Sequence, residues 1–269
     1  MRSILAHADG HAANEGRLQA ALDLTRALDG HVTLHINTPL QRFVAMDPFG
    51  GVFLSADAIA DAQAHDAQLV DAFADRLGRE DVSWNIETSS GELVDGLTSS
   101  ARLSDLIIVS LPTADDKRTG LSLPVGSLAV SARCPILALP ANAASFPVDG
   151  RAMVCWDGGH EAANALRSAV PLLARASKVD VVTVAEKSDG FPSTEALRYL
   201  SHYGIHAELH ERERAQLSIE EVLEDASAEL GADWLVMGAY GHSRLRETMF
   251  GGVTRFFIED ATLPLLLAH

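Results

Sequence analysis

The chain has 269 residues, 47% of them hydrophobic and 22% charged, with 21 Lys and Arg against 37 Asp and Glu for a formal net charge of −16. That is ordinary globular composition, which excludes disorder as the main state, and the length fits one large domain or two of about 130 residues. A split at Pro147 leaves −8 on each side, so the acidity hides no basic domain. Nucleic acid and anionic membrane, which both require a basic face, are therefore not expected as partners.

Cys134 and Cys155 sit in apolar runs, ARCPILAL and AMVCWD, and are expected as buried free thiols rather than a disulfide. The opening MRSILAHADG has no apolar stretch of signal-peptide length, and no run reaches the ~18–20 apolar residues of a membrane helix. A reducing cytoplasm is the expected location.

In chain order, the strands expected in the first half are 3–8, 31–36, 82–88, 105–110 and 135–139. Those of the second are 151–156, 178–184, 205–210, 232–237 and 264–268. Helix-period stretches lie between them, and that alternation predicts βαβ units on a parallel sheet. The halves repeat one another. The run SILAHA ending in Asp9-Gly10 answers AMVCW ending in Asp157-Gly158, and the pattern continues without a gap at an offset of 148 through Ile36 and Val184. Further on, ARLSDLIIVS matches ELGADWLVMG at an offset of 128, so the first half carries an insert of 20 residues, placed around 38–57. The aromatics of that insert, Phe43, Phe49 and Phe53, are expected to pack as an apolar cover. The polar–apolar alternation of VSWNIET and IHAELH marks edge strands, whereas LIIVS and DWLVMG are apolar throughout, as strands covered on both faces should be.

Chemistry concentrates in residues 231–255. A buried strand ends at Met237, Gly238-Ala-Tyr-Gly241 follows, and Gly251-Gly252-Val253-Thr254 opens a helix. Glycines after a strand let a ligand approach the backbone, and a helix opening on a glycine pair presents free N–H groups to an anion. Thr254 offers a hydroxyl in the first turn, while His242, Arg244 and Arg246 place donors in an otherwise acidic chain. With strand order 3-2-1-4-5, Asp157 and Gly238 would end neighbouring strands at the point where the order reverses, where such sheets bind ligands. Asp157 would face a ribose or base, and Val184 would line the base pocket. Taken singly, these residues are ordinary turn chemistry: an Asp-Gly after a strand is a common cap, and no GxxxxGK[ST] or GxGxxG occurs.

Gly238, Gly241 and Gly251 resemble the Gly-x2-Gly-x9-Gly nucleotide motif of the universal stress protein family. The strand-Asp-Gly opening and the closing LPLLL strand extend the resemblance over both halves. It implies two tandem doubly wound α/β domains, 1–145 and 150–269, each a five-stranded parallel sheet between helices. It also implies pairing of the two through strands 135–139 and 264–268, which would otherwise leave costly unpaired edges. By resemblance the second domain binds ATP or another adenine nucleotide, with Mg2+, through Asp157, Val184, Gly238, Gly241, Gly251, Val253 and Thr254; Met237, His242, Arg244 and Gly252 join the candidate site by their place in the same segment. One departure is Gly252, where many ATP-binding members carry Ser.

The first half keeps Asp9, but Ser110 and Thr113 replace the glycines, and the helix after Gly126 is about a turn shorter; it reads as a degenerate copy that binds no nucleotide. His202, His206 and His210 have metal-like spacing on a helix, but Gly204 breaks it, and no metal is expected there. No GxSxG or HExxH occurs, so hydrolytic chemistry has no signature. The leading expectation is a cytoplasmic stress-response protein that senses an adenine nucleotide and acts on other copies of itself or on protein partners. The alternatives are an interaction module that no longer binds nucleotide, and a slow ATPase using His242, Arg244 and a metal, for which no residue is placed as general base.

Overall fold

The computed structural model describes residues 1–40, 44–46, 52–113, 116, 124–185, 191–241 and 252–269. The first half runs β1 (Ser3–His7), α1 (Asn14–Leu28), β2 (His31–Thr38), a small hairpin of β3 (Val44–Met46) and β4 (Val52–Leu54), and α2 (Ala56–Leu77). It continues through β5 (Ser83–Ser90), α3 (Leu93–Ser100), β6 (Leu106–Ser110), α4 (Val125–Ser131) and β7 (Ile136–Leu139). The second half runs β8 (Arg151–Cys155), α5 (His160–Leu173), β9 (Lys178–Ala185), α6 (Ser193–Ser201) and β10 (Ala207–Glu213). It closes with α7 (Ile219–Leu230), β11 (Trp234–Gly238), α8 (Gly252–Asp260) and β12 (Leu265–Ala268).

Local chemistry sets the element ends. Ser218 and Glu221 form a reciprocal capping box at the start of α7, and Gly231 ends that helix at φ +64°. Glu221 therefore caps the helix from an exposed position. Gly204, at φ +72°, turns the chain out of α6 toward β10.

Ten strands form one sheet in the order β10-β9-β8-β11-β12-β7-β6-β1-β2-β5. Each half has the order 3-2-1-4-5 and is parallel within itself; the halves meet where β12 runs antiparallel to β7, with Leu266 opposite Leu137. Both residues are fully buried, as strands joining two apolar edges must be. One face of the sheet is covered by α1, α2, α5 and α6, around Leu18, Leu22, Ala165 and Leu172; the other by α3, α4, α7 and α8, around Leu97, Leu128, Leu223 and Phe257. The segment joining the halves is anchored by Phe146, whose ring meets Trp234 edge-on with centroids 5.3 Å apart.

Three expectations need correction. The repeat is not gapless: β1 and β8 correspond at an offset of 148, but β2 and β9 correspond at 147. The helix α5 ends earlier than α1 and has a longer connection to its strand, whereas α1 ends tightly on left-handed Asp29. The extra length of the first half is not confined to the loop after β2, since α2 spans 22 residues against 9 for α6. Cys155 is buried as expected, but Cys134 is only partly so; burial raises the two thiols to about 12 and about 11, and neither forms a disulfide. The side chains of Phe43, Phe49 and Phe53 lie outside the described residues.

Candidate functional site

The strand reversal point of the second half lies between the carboxyl ends of β8 and β11. Asp157 leaves β8 exposed to solvent, and its Oδ1 accepts the Gly159 N–H at 2.7 Å, a local turn that orients the carboxylate at the start of α5. Gly158 follows at φ +75°. The chain from 191 closes over this turn: Phe191 donates its N–H to the Gly158 carbonyl at 3.1 Å and accepts the Trp156 indole N–H at 3.2 Å. Its ring is 59% exposed, an aromatic face at the rim that the sequence pattern does not single out.

Gly238 ends β11 against the first turn of α5. A Cβ there would stand 2.7 Å from both the Ala162 nitrogen and the Glu161 carbonyl carbon, so this glycine is required by helix packing whether or not a ligand comes near. Ala239 is buried, donates to the Ala268 carbonyl at 2.8 Å, and offers its own carbonyl to His269 Nδ1 at 2.8 Å. Tyr240 adopts φ +58° and sends its ring over α4 of the other half, where a Cβ on Gly126 would fall 1.8 Å from the tyrosine hydroxyl. Gly241 faces Glu161, whose Oε2 would lie 3.1 Å from a Cβ at 241.

Glu161 is the residue sequence reasoning missed. It is 9% exposed, on the first turn of α5, and no described residue gives its carboxylate a hydrogen bond or ion pair. The dipole at the start of α5 favours a charge there. Its position in the turn after Asp157-Gly158 was visible in the sequence, but its orientation toward Gly241 was not.

The helix α8 begins at exposed Gly252. Thr254, which the sequence suggests as a hydroxyl for a ligand, is buried and donates to the Gly238 carbonyl at 3.1 Å, tying helix to strand end. Val253 packs on the core beneath α7 and α8, as does Val184 near the end of β9. The Met237 side chain is buried in the same core, away from solvent. The structure thus gathers Asp157, Gly238, Gly241, Gly252 and Thr254 around one strand end and leaves the side chains of Val184 and Met237 in packing roles. His242, Arg244 and Gly251 lie outside the described residues.

The corresponding point of the first half is closed. Arg17, 3% exposed on α1, donates to Asp9 Oδ1 at 2.6 Å, Ser110 Oγ at 2.7 Å, the His7 carbonyl at 2.8 Å and Asn14 Oδ1 at 3.3 Å. It fills the space between β1 and β6 with a satisfied guanidinium. Burial, aided by Arg17, pushes the adjacent His7 down to about 3, so its imidazole is neutral. At the equivalent position, 148 residues on, the second half has Ala165.

A second cluster is structural. Asp180, Glu208 and His210 bring ligand atoms within 4.8 Å of one another at the opposite end of the strands. Asp180 already receives Arg151 through Nε at 2.5 Å and Nη2 at 3.1 Å, with His210 Nε2 at 2.7 Å, and Lys178 takes Glu208 at 2.7 Å. Its cationic neighbours occupy the place of a metal.

With this geometry, comparison with known proteins decides the kinship of one half. Residues 150–269 match the model of the Universal stress protein family. No curated protein matches the chain. Among solved structures, a universal stress protein from Archaeoglobus fulgidus superposes over 99% of this chain and 95% of its own with a TM-score of 0.78 at 14% identity. A functionally unknown protein from Pseudomonas aeruginosa covers 100% and 92% at a TM-score of 0.65 and 17% identity. A candidate universal stress protein from the same species covers 100% and 93% at 0.63 and 18%. These likenesses establish the doubly wound α/β architecture across both halves. Among the described residues, no helix is long and apolar enough to cross a membrane.

Proposed function

We propose that the stress-protein-like second half binds an adenine nucleotide, ATP or a close relative with Mg2+, in the crevice between β8 and β11, and that the chain serves as a nucleotide-dependent switch in a cytoplasmic stress response. The observation that carries this reading is the asymmetry of the two crevices. Arg17 fills the first and neutralises Asp9, whereas the second has Ala165 at the equivalent position, an exposed Asp157, and no cation on that carboxylate among the described residues. Asp157 would accept a ribose hydroxyl, Phe191 would stack against the base, and the start of α8 at Gly252, with His242, Arg244 and Gly251 before it, would hold the phosphates. Glu161 repels a bare phosphate beside Gly241, so the ligand enters with a cation. Tyr240, which sits on Gly126 of the other half, would carry the change across the seam to the first domain, and from there to other copies or protein partners.

The test is a thermal shift on the full chain. Gly238→Val is unsuitable because its Cβ collides with α5 backbone. Exposed Asp157 can be changed without that damage. With millimolar ATP and Mg2+ the midpoint should rise, and Asp157→Ala should remove most of the rise. No rise in the unaltered chain would overturn the nucleotide reading and favour the interaction module, the outcome that Gly252 and the Glu161 carboxylate would then explain.

A further inference from the structure

A second cleft opens where the two halves meet, between the end of α4, the exposed side of α5 and the end of β12. It has a volume of about 550 Å³, within the usual range for small-molecule sites. Arg133 reaches it from the first half, just before β7, and Arg167 from α5 of the second. Asn164, Ser168 and His269 add polar groups, and none of the lining residues is acidic. In a chain with a net charge of −16, a cleft lined by two arginines and no Asp or Glu side chain is an exception. Neither arginine has a carboxylate partner among the described residues; Arg167 is held by the Asn164 side chain, which aligns its guanidinium along the wall. The related place in the first half is filled by the chain itself. Gly16, equivalent to Asn164 at the 148-residue offset, packs so closely under the connecting segment that a Cβ would fall 1.9 Å from the Ala143 carbonyl oxygen.

We propose that this cleft is an anion site separate from the crevice at Asp157, and that it takes a small phosphorylated molecule held between Arg133 of one half and Arg167 of the other. Guanidinium groups pair with phosphate oxygens through geometrically matched, charge-assisted hydrogen bonds, and Asn164 and Ser168 suit the neutral hydroxyls of such a ligand. Because its two arginines come from different halves, an occupant bridges the seam formed by β7 and β12. Its wall also includes His269, bonded to Ala239 in the loop after β11, so occupancy would bear on the Gly238–Gly241 turn from behind.

Inorganic pyrophosphate is the probe, titrated by calorimetry into the full chain at low salt. Saturable binding is expected, with about a tenfold loss in affinity for each of Arg133→Gln and Arg167→Gln and a larger loss for the pair. Both side chains are exposed, so the thermal midpoint of the ligand-free variants should equal that of the unaltered chain. Pyrophosphate binding should survive Asp157→Ala and vanish in the Arg133→Gln, Arg167→Gln pair, and it is the loss in the pair that separates this cleft from the phosphate end of the nucleotide site. Binding that survives the double variant, or that disappears with Asp157→Ala, would place the anion elsewhere and overturn the proposal. Absence of saturable binding at millimolar pyrophosphate would overturn it as well.

Discussion

The Arg17 guanidinium donates to the Asp9 carboxylate across 2.6 Å, inside the crevice that its sister half leaves to Ala165. Removing one member of a buried, hydrogen-bonded ion pair strands the other, a loss of about 3–5 kcal/mol. Arg17→Ala should therefore lower the unfolding free energy by an amount of that order, measured by urea denaturation at neutral pH. A loss below about 1 kcal/mol, the worth of a surface pair, would mean that the cluster is solvated in solution.

The same cluster sets a pH dependence. Burial, followed by Arg17, takes His7 from an ordinary 6.5 to about 3. Between those values the unfolded chain holds a proton that the folded chain lacks, so stability is full above 6.5 and falls as the pH drops toward 3. Burial works upward on Asp9, but Arg17, His7 and the His11 amide hold it below the usual carboxylate value, which adds a loss of the same sign under about pH 4. The thermal midpoint should thus decline from pH 7 to pH 5, and His7→Gln should flatten that decline. Some slope should remain, because burial also lowers His35.

Gly252→Ser tests the phosphate end of the proposed nucleotide site. A Cβ at 252 would stand 3.1 Å from Glu220 Oε1, the tip of a flexible side chain, so serine can be accommodated. A hydroxyl bonded to a charged phosphate contributes about 1.5 kcal/mol, roughly tenfold in affinity. ATP should bind about that much more tightly in a calorimetric titration. Unchanged affinity would show that the phosphates do not reach the start of α8.

Glu161→Gln addresses the cation. In the unaltered chain the Glu161 carboxylate beside Gly241 should make nucleotide binding depend strongly on Mg2+. The neutral amide should narrow the difference between titrations with Mg2+ and with EDTA. An equally wide difference in the variant would assign the Mg2+ dependence to the phosphates alone.

Strand positions were legible because apolar runs such as LIIVS and WLVMG have no other use in a chain of this kind; the strand order was taken from the doubly wound topology that the family resemblance implies, not from the residues. The one-residue slip between β2 and β9 was not legible, since α1 and α5 end differently while their apolar periods agree. At the site, the sequence marked Asp157 and Gly238 but not why Gly238 is glycine: the constraint is the backbone of α5, which approaches from a remote segment. Arg17 read as an ordinary helix residue because its four acceptors come from β1, α1, the turn after β1 and the distant end of β6. Glu161 was hidden for a similar reason, as a carboxylate in a first helical turn is ordinary until its direction is known.

The antiparallel seam between β7 and β12 has a genetic consequence. Two identical subunits joined by a twofold axis share one coding sequence, so every substitution is written twice. Here both partners of the axis lie on a single polypeptide, and each can change alone. An arginine could enter one crevice without entering the other, and a connecting segment could cover one flank while its counterpart stayed open. A joined pair of this kind can hold two different chemistries on one symmetric frame, an arginine bound to Asp9 on one side and an alanine at the equivalent place on the other.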